Sequence, residues 1–568
     1  MNARSSARPH PRPACPILAA AALMAVPMLA IPAAAGQPAF RETGAAWGLE
    51  FHHNAGFSGR KYMVETMGGG VVLFDYDGDG DDDAFFIDGG PLPSYEGPAP
   101  RSRLLRNDAG PDGPRFVDVT DRSNIDFGGY GAGGVAGDVD ADGDLDLYVT
   151  AFGGNQLYLN LGDGGFRAAG AERGVDDPRW SASAAFGDLD LDGDLDLYVT
   201  NYTDFSLANH KFCGLGGSTD SAGTDGEPGR GYCHPDMYNG VPDRLYRNDG
   251  RGFFVDATAA SSLDGAAEAG LGVVIGDLDG DRWPDVYVAN DKDPNLLFRN
   301  LGNGRFEDES LLSGAAYDRG GAAEAGMGVE LADLDGDGRQ DLVVTNFALE
   351  TNAFYRNAGE GVFLDRRFPS GLAQPSLQRL AFGVNALDAD LDGDVDLFVA
   401  NGHIQPEAAR IGEVGTYEQP NQLFENLGDG RFRERLDAGL DTVRTSRGSA
   451  VADLDLDGDL DIVVVNSNQP SEVYDNRAGG GWFALGFSPG DAGSADAVGA
   501  EVVLTAGGRA QVRETRAGSS YLSQSTLTAF FGVGEAHRIE RVTVRQPLRK
   551  RPLVLRDLPA NRRVRLRR

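Results

Sequence analysis

Asp-x-Asp-x-Asp, usually followed by Gly and always by a further Asp four residues beyond the third, occurs seven times in this chain. The first three copies are Asp75, Asp77, Asp79, Asp81 and Asp83; Asp138, Asp140, Asp142, Asp144 and Asp146; and Asp188, Asp190, Asp192, Asp194 and Asp196. The fourth is Asp277, Asp279, Asp281 and Asp285 with Trp283 at position 7, and the fifth Asp333, Asp335, Asp337 and Asp341 with Arg339 there. The last two are Asp388, Asp390, Asp392, Asp394 and Asp396, and Asp453, Asp455, Asp457, Asp459 and Asp461. Calcium takes about six to eight hard oxygen ligands at about 2.3–2.6 Å. Carboxylates at positions 1, 3, 5 and 9, with the carbonyl of position 7, offer that set from one turn, and Gly at position 6 lets the backbone reverse. Without a cation each close pair repels by about 1 kcal/mol in water, and by several times more near protein. An Asp-rich turn can also cap a strand without metal, but seven copies in register favour the cation. The expectation is up to seven structural Ca2+ ions. An EF-hand needs Glu at position 12 and flanking helices. Position 12 is instead Phe86, Val149, Val199, Val288, Val344, Val399 and Val464. The fourth copy departs from the pattern, with Arg282 in place of Gly and Pro284 beside Asp285.

The flanks define what holds these loops. Each is followed by a short β-branched run such as Leu147-Tyr-Val-Thr150 or Leu342-Val-Val-Thr345, which reads as a buried strand. Next comes an Asn-terminated run, as in Leu157-Tyr-Leu-Asn160 and Phe354-Tyr-Arg-Asn357, then a Gly-rich turn and a phenylalanine such as Phe166 or Phe363. Loop starts are 63, 50, 89, 56, 55 and 65 residues apart. Four strands per repeat at such a period predict an all-β chain: a seven-bladed β-propeller over 36–476, each Asp loop joining the first strand to the second. The seventh repeat lacks a clear fourth strand. Residues 39–44 resemble the fourth strand of another repeat and are expected to close the last blade, with Trp482-Phe483 as competitor. Short alternating runs over 477–568 predict a small all-β C-terminal domain.

The formal charge is −35, yet 33 aspartates stand at positions 1, 3, 5, 7 and 9 of the loops, and without them the balance would be −2. The acidity therefore belongs to the loops and implies no acidic interaction surface. Residues 1–35 read as a signal peptide, with Arg4, Arg8 and Arg12 before an apolar run and Ala33-Ala34-Ala35 before Gly36. The expected location is extracellular or periplasmic, with no membrane span. Export permits a disulfide between Cys213 and Cys233, which enclose 19 residues; such a bridge stabilises by roughly 3 kcal/mol.

The repeats resemble the FG-GAP repeats of integrin α-subunit propellers. The whole mature chain is similar to bacterial relatives of cartilage acidic protein that end in an ASPIC/UnbV domain. The matching pieces are Met67-Gly-Gly-Gly70, Tyr232-Cys-His-Pro235, Asn401-Gly-His-Ile404, Val498-Gly-Ala500, Ser520-Tyr-Leu-Ser-Gln524 and Phe531-Gly-Val-Gly534. Arg545-Gln-Pro-Leu548 stands where such proteins carry a Trp-Pro-Ser-Gly-like turn. The resemblance implies calcium-dependent extracellular interaction and no established reaction.

No HExxH, P-loop, GxSxG or CxxC motif is present, and no acid pair is left over once the loops are set aside. The reading is a binding or adhesion protein for an unidentified protein or glycan ligand, with no nucleic-acid partner. The competing reading is a secreted or periplasmic, carbohydrate-active enzyme working in the central channel or on the long loops. The connections around 88–101, 201–242 and 401–421 are long and should lie at the end opposite the Asp loops. They carry Tyr95, Tyr232, His234, Tyr238, His403 and Tyr417, taken as the candidate ligand face against the alternative that these loops plug the channel. From Arg538 onward twelve basic residues face only Glu540 and Asp557. These read either as a charge-protected edge or as a surface for anionic groups.

Overall fold

The computed structural model describes residues 39–110, 113–215, 229–411, 414–488, 498–547 and 549–567. The expected signal peptide lies outside the described residues. Residues Ala35–Arg568 form one compact unit, so the C-terminal residues do not separate from the repeats.

Seven four-stranded antiparallel sheets make up the repeat region. The second is typical: Tyr130–Gly137, Asp146–Phe152, Gln156–Asn160 and Phe166–Ala168, in sequence order from inside to outside. Its innermost strand is buried throughout and glycine-rich, which lets neighbouring backbones come close. In the seventh sheet the outer strand is Arg41–Glu42, pairing with Asp475 and Tyr474. Innermost strands of successive sheets pack side by side, and Ser446–Ala452 of the seventh packs on Val71–Phe74 of the first. The core therefore lies between sheets, as aromatic and aliphatic layers such as Val135, Tyr148, Leu197, Tyr246 and Phe254.

Beyond the repeats, Gly481–Ser488 pairs antiparallel with Ala529–Gly534 and parallel with Arg562–Arg567. Trp482 and Phe483 thus belong to the C-terminal part. A second sheet has the order Arg509–Glu514, Glu501–Ala506, Arg538–Arg545, Leu553–Pro559. Between these sheets the chain leaves as a finger over 517–526 and enters the ring. It meets innermost strands of six sheets. Ala517 bridges Phe186, Ser520 bridges Val329 and Gln524 bridges Val72. Val384 N donates to Ser520 Oγ at 3.0 Å, Ala136 N to Gln524 Oε1 at 2.9 Å, and Thr526 N to Val451 O at 3.0 Å. At the tip, Tyr521 O–H donates to Met67 O at 2.7 Å. Gly70 is required here, since a Cβ would lie 2.1 Å from Leu522 O; at Gly133 it would lie 2.8 Å from Leu522 Cα.

Candidate metal centres

Each Asp loop is a tight turn that largely folds itself. The N–H of position 7 donates to the carboxylate of position 5 in all seven, from 2.8 Å at Trp283 and Asp394 to 3.3 Å at Asp81 and Asp459. Position 6 is left-handed throughout, with φ of 89° to 113° at the six glycines. Arg282 adopts φ 78° in the fourth loop, a conformation that strains a side chain with a Cβ.

Position 9 anchors the loop to its sheet. One oxygen accepts the N–H of position 2: Asp146 from Val139 at 3.0 Å, Asp341 from Leu334 at 3.1 Å. The other accepts the N–H of the Asn that ends the third strand: Asp146 from Asn160 at 2.8 Å, Asp341 from Asn357 at 2.7 Å. That Asn then donates its side-chain amide to the position-2 carbonyl of the preceding loop. Asn160 reaches Tyr76 O at 2.7 Å, Asn248 Val139 O at 2.7 Å, Asn300 Leu189 O at 2.8 Å and Asn357 Leu278 O at 3.0 Å. Asn426 reaches Leu334 O at 2.8 Å, Asn476 Ala389 O at 3.1 Å, and Asn107 closes the circuit on Leu454 O at 2.8 Å. The Asn signature is an inter-sheet staple, a role that its spacing alone did not reveal.

Within the loops, carboxylate oxygens converge. Asp75, Asp77 and Asp83 each place one oxygen within 4.8 Å of the others, as do Asp138, Asp140 and Asp146; Asp188, Asp190 and Asp192; Asp277, Asp279 and Asp285; and Asp333, Asp335 and Asp337. Burial, then mutual repulsion, pushes these acids up: Asp188 and Asp388 to about 7, and Asp459 to about 9. Six loops contain a buried carboxylate oxygen with no hydrogen-bond donor, on Asp75, Asp81, Asp140, Asp190, Asp333, Asp388 and Asp459. Among the described residues the fourth loop has none. A buried acceptor without a donor is costly, and all the converging atoms are hard oxygens. The donor set therefore fits calcium. Where position 7 is not Asp, Arg339 pairs with Asp337 of its own loop while its Nε donates to Asn357 O at 3.1 Å, and the side chain of Trp283 lies against Gly302.

The C-terminal part covers this face. Arg565 Nη2 lies 2.9 Å from Asp75 Oδ2, Arg563 Nη2 lies 2.9 Å from Asp453 Oδ2, and Arg509 pairs with Asp394. Gly532 N donates to Asp388 Oδ2 at 3.0 Å and Thr526 Oγ1 to Asp82 Oδ2 at 2.7 Å. A cavity of about 110 Å³ remains beside the finger, where Arg516 lies 3.7 Å from Glu330 and 3.6 Å from Glu514.

At the other end the candidate ligand face is corrected. Tyr232, Tyr238 and His403 are 2%, 8% and 0% exposed. Tyr232 O–H donates to the buried Glu65 at 2.9 Å. The long connections fold inward and pack Tyr232's neighbour Cys233, Tyr238, Trp180 and Tyr202 with Tyr521 and Leu522 of the finger tip. Aromatic side chains there gain more from this burial than from display to water. Tyr95 and Tyr417 are half-buried, and the side chain of His234 is 39% exposed, with Nδ1 3.1 Å from Asp236. Cys213 and Cys233 are joined by a disulfide. Two buried groups went unrecognised in the sequence. Arg447 donates to the carbonyls of Thr66, Gly402, Ser446 and His403 and stacks 4.1 Å from the Phe382 ring centroid. His53 accepts Asn468 N–H on Nδ1, and burial lowers its pKa to about 3. Neither has a local sequence signal, because their partners lie on distant loops.

An FG-GAP-like repeat model matches residues 138–199, 277–344, 333–399 and 411–464, and an ASPIC and UnbV model matches 490–568. Cartilage acidic protein 1 of Xenopus tropicalis is 30% identical over 302 residues, covering 52% of this chain and 44% of that protein. The human protein is 30% identical over 315 residues, covering 53% and 45%. This chain thus spans less than half the length of the curated relatives that it matches. Among solved structures, an Agrocybe aegerita lectin that recognises non-reducing terminal N-acetylglucosamine matches with TM-score 0.34 and 16% identity, covering 70% of this chain and 85% of the lectin. The exotype rhamnogalacturonan lyase YesX matches with TM-score 0.32 and 14% identity, covering 84% and 88%. From its repeats and its C-terminal domain, the chain is an FG-GAP-repeat protein ending in an ASPIC and UnbV domain, similar to cartilage acidic protein 1 over about half its length.

Proposed function

We propose that the chain is an exported interaction module whose Asp loops hold structural calcium, up to one ion each. The carrying observation is the buried, donorless carboxylate oxygen present in six of the seven loops. Asp positions 1, 3 and 5 would supply side-chain ligands and position 7 its carbonyl. Position 9 keeps lone pairs for the ion while anchoring the turn. Calcium supplies the positive charge that lets these acids be buried together. The disulfide supports an exported protein; no helix among the described residues is long and apolar enough to cross a membrane. The ligand is a protein or glycan. Tyr95, His234 and Tyr417 are the candidates left in reach of it. An ion that binds only the folded chain stabilises by about 4 kcal/mol when free calcium exceeds Kd by roughly 1,000-fold. Melting with calcium and after exhaustive EDTA treatment tests the reading: the expected result is a large fall in Tm, restored by calcium. An identical curve would remove calcium from the account.

A further inference from the structure

The outer sheet of the C-terminal part carries more positive charge than the carboxylates of the described residues pair with. In the hairpin formed by Arg538–Arg545 and Leu553–Pro559, Arg541 and Arg556 are direct cross-strand partners, and both are exposed. Like charges facing each other across a strand pair are destabilising. On its other side Arg541 faces Thr505, and its Nε donates to Thr543 Oγ1 at 3.0 Å. Arg549, Lys550 and Arg551 follow in the exposed turn. The two acids of the hairpin are used at its far end: Asp557 holds Arg538, and Glu540 accepts Gly508 N–H at 3.1 Å. Arg545 is paired with Glu501. Five cations therefore lie along about 25 Å of hairpin, at roughly 3.3 Å per residue, with no carboxylate partner among the described residues.

We propose that this hairpin binds a linear anionic polysaccharide, whose sulfates or carboxylates lie along the row Arg541, Arg556, Arg549, Lys550 and Arg551. A line of fixed positive charges suits a repeating oxyanion chain, because successive sulfates or carboxylates can each meet a cation. A bilayer is the poorer fit. Interfacial binding needs apolar side chains to enter the lipid, and beyond Leu456 no large hydrophobic side chain is exposed among the described residues. This inference goes beyond the calcium reading and does not rest on it.

Titration of the full chain with heparin as probe, in calcium, tests the site. The expected result is binding that weakens roughly 100-fold between 50 and 200 mM salt, as for several neutralised charges. Arg541→Ser with Arg556→Ser should weaken it at least about 10-fold at low salt, while Arg541→Lys with Arg556→Lys stays within a few-fold of the original. Replacing Arg549, Lys550 and Arg551 by Ser gives an independent check in a turn where folding is not at stake. Arg431→Ser, on the rim of the repeats, should change nothing. Absent binding at 50 mM salt, or equal binding by both serine variants, overturns the proposal. Binding to vesicles rich in phosphatidylserine without binding to heparin overturns the choice of polysaccharide and assigns the row to a membrane surface.

Discussion

Asp341 illustrates what a loop asks of one residue. It is fully buried, accepts two backbone N–H groups, and still has its pKa pushed up to about 8 by desolvation. Asp285 is likewise raised to about 8, Asp188 and Asp388 to about 7 and Asp459 to about 9, with burial as the main cause and neighbouring aspartates adding to it. A carboxylate whose folded pKa lies above its unfolded value of about 4 holds a proton that the unfolded chain has lost. Its contribution is complete below the unfolded pKa and disappears as pH rises through the folded one. The metal-free protein should therefore melt at progressively lower temperature from pH 6.5 to 8.5. His53 and His403, lowered to about 3 and about 4, stay neutral across that window and do not mask the trend. Calcium-loaded protein should lose this slope, since the ion favours the ionised acids. A Tm in EDTA that rises with pH would contradict the placement of these carboxylates.

At the scale of elements, the staple explains why the third strand ends in Asn in every repeat. Asn160 donates to Tyr76 O in the neighbouring loop and to Leu145 O in its own, at 2.7 and 3.1 Å. Leucine cannot replace it, and alanine leaves both carbonyls without a donor. Asn160→Ala should cost about 2 kcal/mol, measured by urea denaturation in calcium. A change below about 0.5 kcal/mol would mean that water replaces the amide without penalty. The strands and turns of the repeats were legible because their signals are local: β-branched runs, glycines at left-handed positions, a phenylalanine starting six of the seven outer strands. The staple was visible only as a recurring letter. Its acceptor belongs to another repeat, 84 residues away for Asn160, and no local period reports such a contact.

For the whole molecule, the sequence separated a repeat region from a C-terminal domain, whereas the structure packs them as one unit. Ser520-Tyr-Leu-Ser-Gln524 stood out in the sequence only as a piece of the resemblance in the C-terminal domain. It is instead the finger that touches six of the innermost strands and fills the ring's axis. Val71 and Gln524, hydrogen-bonded at 2.9 Å, lie too far apart in the chain for any sequence pattern to join them. The same burial explains why Tyr232, Tyr238 and His403 were misplaced: aromatic loop residues look alike whether they face solvent or cover a plug. Gly70→Ala tests the finger's seat. Its Cβ would stand 2.1 Å from the backbone oxygen of Leu522, and overpacking of this kind costs about 3 kcal/mol. The expected outcome is a lowered Tm with faster proteolysis of the C-terminal part. Unchanged melting and cleavage would show that the finger moves aside freely.

The loops remain the centre of the account, and counting their ions tests it most directly. Protein purified in calcium, passed into calcium-free buffer and analysed for metal content should retain six calcium ions per chain. The fourth loop, with Arg282 at a left-handed position and no donorless buried oxygen, should take up a seventh ion only when calcium is added. Retention of fewer than two ions per chain, with an unaltered fold, would contradict the claim that these aspartates are gathered around structural calcium.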